Sequence, residues 1–227
     1  MTERGAVRLV RIAGSAVLVL FVAFQFVNPR RPAVANTPGF TDPVAAFELA
    51  STPEDVLNVL GTDSTPARED TVRRMVAGIR LDFLFLIAYP AFTVGIALWL
   101  VARGAPEWLG SATIALAVAM AVGDALENRE LLHLAATLDP AAMTPGLARL
   151  RVFTLLKWWA IYAAAALLAV FVWRERGWWR WTAALFALAA VGGLVSVAHR
   201  PAIEWGIAPL GLAWLGTYVR SFSRAGV

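Results

Sequence analysis

From Trp108 the chain runs apolar for a length that crosses a bilayer, and the run closes in Ala121-Val-Gly-Asp-Ala-Leu-Glu-Asn-Arg-Glu-Leu-Leu132. Hydrocarbon offers no water to the backbone N–H and C=O groups, so a lone apolar span of this length is a helix. Residues three and four apart share a helix face, which puts Asp124, Glu127 and Asn128 together at the end of the span. Carboxylates at a membrane boundary raise the free energy unless they are paired, hydrated or put to use.

The rest of the 227 residues agrees with a chain that faces lipid. Hydrophobic residues make up 59% and charged residues only 16%, against about a quarter charged in soluble domains. The apolar residues come in blocks, and the length suits one membrane domain. The net charge is +4, and Lys157 is the only lysine. The arginines sit in small groups at span ends, which is not the single basic face of a nucleic-acid binder. With no cysteine, disulfides, thiolate catalysis and Cys-ligated zinc are excluded.

In chain order, Arg4, Arg8 and Arg11 precede an apolar run from Ile12 to Val27. Ala33-Val34-Ala35 resembles a signal-peptidase site, but Pro29-Arg30-Arg31-Pro32 lies before it. Charge in that place argues for an uncleaved signal-anchor, residues 1–28. Residues 29–80 form a polar segment read as a small helical cap on the periplasmic side. Asp42-Pro43, Thr52-Pro53 and Thr65-Pro66 each pair a capping residue with proline at the first helical position. They predict helices over Pro43 to about Ala50, over Pro53 to Leu60 closed by Gly61, and from Pro66 onward. The last runs through Arg80 and Asp82 into a second span, Leu81 to Val101, with Tyr89-Pro90 inside it.

Residues 81–227 read as five further spans. The third begins near Trp108, ends near Glu127, and continues as helix past the membrane to about Leu138. Thr144-Pro145 caps the next helix, which enters the fourth span, Val152 to Trp173. Spans three and four therefore project as a hairpin around residues 128–150. A fifth span runs to about Ala198 and a sixth from Ala202 to Val219, with Glu204 and Pro209 in it. Trp108, Trp173, Trp178, Trp179 and Trp181 fall at span ends as an aromatic belt. The fold class expected is an all-α polytopic bundle of about six spans. Short segments bearing Arg4, Arg8, Arg11, Arg103, Arg174, Arg176, Arg180, Arg220 and Arg224 favour both termini inside. Arg30, Arg31, Arg149 and Arg151 oppose that orientation.

Under that topology Asp82, Asp124, Glu127, Asn128, Lys157, His199 and Glu204 share the outer-leaflet level, and Tyr89 lies close by in sequence. Lys157 is six residues past Arg151, roughly 9 Å into the membrane, and can meet Asp124 on the preceding antiparallel helix. These eight residues are the candidate ligand-binding set. They make either an interhelical clasp or a polar site for a small polar ligand, a cation or a lipid headgroup.

A metal site finds little support. Glu130-Leu-Leu-His133 matches Glu-x-x-His once, and a di-iron bundle needs the motif on two helices with two further glutamates. Haem between His133 and His199 fails because the two lie at unmatched depths. There is no P-loop, no His-Glu-x-x-His and no Gly-x-Ser-x-Gly. No nucleophile and base are paired, so an enzyme ranks last, and no cofactor or metal is expected. The expected surroundings are the lipid bilayer, a membrane-protein partner or a second copy, and no nucleic acid.

Leu81-Asp82-Phe83-Leu84-Phe85 with Tyr89, followed by Asp124-Ala-Leu-Glu127-Asn128, resembles a group of small uncharacterised bacterial polytopic membrane proteins. They share the Leu-Asp-Phe span start and the Asp-x-x-Glu-Asn span end, and the likeness runs from about Phe47 to Val172. It implies a multi-pass protein of the bacterial inner membrane and brings no activity with it.

Overall fold

A computed structural model of the chain describes residues 1–137, 139–175, 177 and 179–223. Among them are eight helices and no strand: α1 Glu3–Val27, α2 Pro43–Glu48, α3 Pro53–Leu60, α4 Arg68–Ala102, α5 Glu107–Ala135, α6 Pro140–Arg174, α7 Arg180–Val195 and α8 Ala202–Arg220. The helices α1, α4, α5 and α6 are long and apolar enough to cross a membrane. They fit a multi-pass membrane protein.

The short helices start where their capping chemistry lies. Asp42 accepts hydrogen bonds from the Val44 and Ala45 amides and opens α2. Thr52 and Asp55 form a reciprocal capping box on α3, and Gly61 closes it. Burial alone would raise the Asp55 carboxyl, but hydrogen bonds from Ser51 and Thr52 bring it below its ordinary range. The segment before α2 is tied to the end of α3: Ala33 donates to the Val59 carbonyl at 2.8 Å, and Val34 and Ala35 both donate to the Asn58 carbonyl at 3.0 Å. The small-residue stretch that resembles a cleavage site is thereby held against the end of a helix.

Several boundaries depart from expectation. The helix of span four starts at Pro140, not at Thr144-Pro145, because Asp139 already accepts from the Ala141 amide at 2.9 Å. Pro145 then lies within the helix, and Thr144 donates to the Pro140 carbonyl instead of capping. The long helix expected from Pro66 begins at Arg68. The third span's helix ends at Ala135; Leu138, its expected end, lies outside the described residues, as do Arg176, Trp178 and Arg224. Of the belt tryptophans, Trp108, Trp173 and Trp181 are exposed, but Trp179 is buried under the Arg220 guanidinium, 4.9 Å from its ring centre. Among the described residues four helices meet the length and hydropathy of a crossing helix; α7 has only 16 residues, and α8, with 19, is long enough but less apolar.

The chain forms two compact units. One comprises residues 1–19, 87–121 and 158–227; the other comprises residues 20–86 and 122–157. In the first, α7 and α8 pack as a hairpin. A Cβ on Gly192 would come within 2.9 Å of the Gly206 amide nitrogen, so only glycine permits that approach. Tyr162 of α6 lies against Gly193 and Gly206, and its hydroxyl donates to the Ile203 carbonyl at 2.6 Å. In the same unit Glu175 accepts from Arg103 and Arg220 at 3.1 and 2.6 Å. Partial burial opposes those bonds, yet they hold the Glu175 carboxyl below its ordinary range.

Candidate functional site

The second unit holds the polar cluster. Here α5 and α6 run antiparallel: Leu134 meets Gly146, Glu130 meets Arg149 and Gly123 meets Lys157. The approach is closest at Gly123, where a Cβ would lie 2.8 Å from the Lys157 amide nitrogen and 3.1 Å from the Phe153 carbonyl oxygen. That crossing brings Lys157 directly across from the Asp124, Glu127 and Asn128 face.

The Lys157 ammonium is the centre of the site. It pairs with Glu127, lies 3.5 Å from Asp124 Oδ1, and donates to Glu48 Oε2 at 3.1 Å. The other Glu127 oxygen accepts from the Thr154 hydroxyl at 2.7 Å, and that hydroxyl also lies 3.2 Å from the Glu48 carbonyl. Asn128 donates to Asp82 Oδ2 at 2.7 Å, which ties α5 to α4. Asp124, Glu127, Asn128, Thr154 and Lys157 are all buried. Asp124 Oδ1 and Glu127 Oε2 both face the ammonium as ion-pair partners. Burial pushes the Glu48 carboxyl above its ordinary range, and the Lys157 ammonium opposes that rise.

Five of the eight residues singled out from sequence thus come together: Asp82, Asp124, Glu127, Asn128 and Lys157. The other three belong to the first unit. Tyr89 is buried there and stacks on Trp214 at 6.1 Å. The His199 ring lies 5.5 Å from that of Trp205. Glu204 sits in the first turn of α8, where a carboxylate meets the positive end of the helix dipole. Two members of the cluster were not foreseen. Glu48 comes from α2, where the apolar neighbours Phe47 and Leu49 draw attention away from it. Thr154 lies one turn before Lys157 and carries no charge to mark it.

Among the described residues no group of three or more His, Asp or Glu is set to hold a metal ion. Glu130, half of the one Glu-x-x-His match, is engaged by both arms of the Arg149 guanidinium at 2.9 Å. No protein-family model matches this chain, and no curated protein or solved structure matches it either.

Proposed function

We propose that the chain is a bacterial inner-membrane protein of six spans, both termini cytoplasmic, whose Lys157 cluster takes up and releases a proton. One observation carries this reading. Four carboxyl groups, Glu48, Asp82, Asp124 and Glu127, gather about one ammonium in a largely buried place. Were all ionised, four negative charges against one positive would leave three uncompensated. Each uncompensated charge at such a site raises the free energy by several kcal/mol, on the order of the ion's desolvation penalty. A proton or a small cation relieves it. A lipid headgroup or larger ligand suits the closed ammonium centre less well, because Asp124, Glu127 and Lys157 are each buried to 5% exposure or less.

A second reading is favoured by the tight crossing at Gly123: the cluster is a permanent clasp between α4, α5 and α6. Infrared spectroscopy of the purified chain in mild detergent separates the two. A proton site shows a protonated-carboxyl band at neutral pH, where exposed carboxyls are ionised. The band is stronger in Lys157→Met, which removes the cation that favours the ionised carboxyls. A clasp of ionised groups shows no such band at neutral pH, and there the Asp124→Asn, Lys157→Met double variant recovers much of the stability that each single change removes.

A further inference from the structure

Where α1 leaves its apolar run, the second unit carries an open groove of about 630 Å³. It is lined by Phe26, Pro29, Arg30 and Arg31 on one side and by Asp70 and Arg74 of α4 on the other. Its walls are fixed. Phe24 and Phe85 meet edge to face at 5.4 Å. Asn28 fills the space above Gly78, which leaves no room there for a side chain. Arg74 donates to the Phe26 carbonyl at 3.3 Å.

The charges in the groove do not balance. Asp70 pairs with Arg73 and, at 2.8 Å, with Arg74, so its charge is already shared between two cations. Arg30 and Arg31 are exposed and form no ion pair among the described residues. They stand three and four residues past Val27, the end of the apolar run, and Arg74 precedes Leu81 by seven residues, about 10 Å along the helix. On the same helix, Val22 and the groove residue Phe26 are 55% and 72% exposed, an apolar surface that needs acyl chains to cover it. Guanidiniums at headgroup depth above an acyl-facing surface match a phosphate bearing two lipid tails. These arginines also run against the charge bias that orients the chain, so their presence calls for another cause.

We infer that this groove binds the phosphate of an anionic phospholipid, with Arg30 and Arg31 as its ligands and Arg74 held ready by Asp70. This proposal stands apart from the Lys157 cluster and survives if that site proves to be a clasp.

The test uses the full chain in a neutral detergent, with binding read from thermal unfolding as lipid is added. Phosphatidylglycerol should bind at least about tenfold tighter than phosphatidylcholine, and the Arg30→Gln, Arg31→Gln variant should lose about thirtyfold of that affinity, the worth of two surface arginines. The charge-matched Arg129→Gln, Arg151→Gln variant should keep it. Equal binding of the two lipids overturns the inference. So does an equal loss in the control variant, which would mean diffuse charge alone. Inorganic phosphate that stabilises through Arg30 and Arg31 while phosphatidylglycerol does not would overturn the lipid as its source.

Discussion

At the scale of single residues, the sharpest consequence concerns Lys157. Its ammonium faces Glu127, Asp124 and Glu48 at once, so its removal leaves several buried carboxyl groups without their cation. Lys157→Met should lower stability by about 3–5 kcal/mol at neutral pH, the usual result of breaking a buried pair from one side. Part of that loss should return on acidification, when the carboxyls take up protons. Chemical denaturation at two pH values checks it, and a pH-independent loss would mean that the lysine acts through packing. Two carboxyls outside the spans give opposite signs of pH dependence. Glu48 is raised above 4.5, so its folded form binds the proton more tightly, and its contribution is present at low pH and lost as pH rises through the folded value. Glu175 is lowered below 4.5, so its contribution is present above 4.5 and lost as pH falls through the folded value. In melting curves across acid pH, Glu48→Gln should remove the first trend and Glu175→Gln the second. Identical profiles for the two variants would contradict both assignments.

Elements in this chain are positioned by small residues as much as by large ones. Gly192 lets α7 and α8 approach until their backbones touch, and Tyr162 of α6 fills the space beside Gly193 and Gly206. A branched side chain at Gly193 must displace that ring. Gly193→Val should therefore destabilise by about 1–3 kcal/mol or more, as overpacking does. Tyr162→Phe should cost only about 1 kcal/mol for the bond to Ile203. Tyr162→Ala opens space that the introduced valine side chain would occupy, so the double variant should be less damaged than the sum of the singles. Strict additivity in thermal melts would separate the two positions and break the argument. The same scale explains what was legible beforehand. Capping pairs at Asp42-Pro43 and Thr52-Pro53 fix helix starts through bonds between near neighbours, and so they can be read from sequence. Glu48 meets Lys157 across a separation of 109 residues, and no local period encodes that. Thr144-Pro145 has the form of a helix start, but Asp139-Pro140, five residues earlier, competes for the same role and provides the actual cap. Tyr89, His199 and Glu204 are grouped in the sequence with Asp82 and Lys157 by their place along the chain alone. Which neighbours each has is not legible there, because place along a chain does not determine which way a side chain faces.

For the whole molecule, the number of membrane crossings turns on α7 and α8. At 1.5 Å per residue the 16 residues of α7 span about 24 Å, short of the roughly 30 Å hydrocarbon core. Length alone would let α7 and α8 enter the bilayer and turn back. Exposure argues otherwise. On α7, Leu188, Val191 and Leu194 are exposed, followed by Val197 past its end. On α8, exposed apolar residues run from Trp205 through Leu212 to Val219. Apolar surface along both helices, from one end to the other, calls for lipid along both. A short helix is accommodated by local thinning of the bilayer at a modest cost. The hairpin should therefore cross, with His199 at the turn on the outer face. The absence of cysteine makes this directly testable. Single cysteines placed at Ser64, Ala105 and His199 would be challenged with a membrane-impermeant maleimide on intact cells. With six crossings and the N-terminus inside, Ser64→Cys and His199→Cys label from outside, and Ala105→Cys labels only after lysis. With four crossings and a re-entrant hairpin, His199→Cys also waits for lysis while Ser64→Cys still labels. With the orientation inverted, Ala105→Cys labels in intact cells and Ser64→Cys does not. Inversion would also put the Lys157 cluster and the arginine groove on the cytoplasmic side, where proton exchange would be with the cytoplasm and the basic groove would no longer oppose the charge bias.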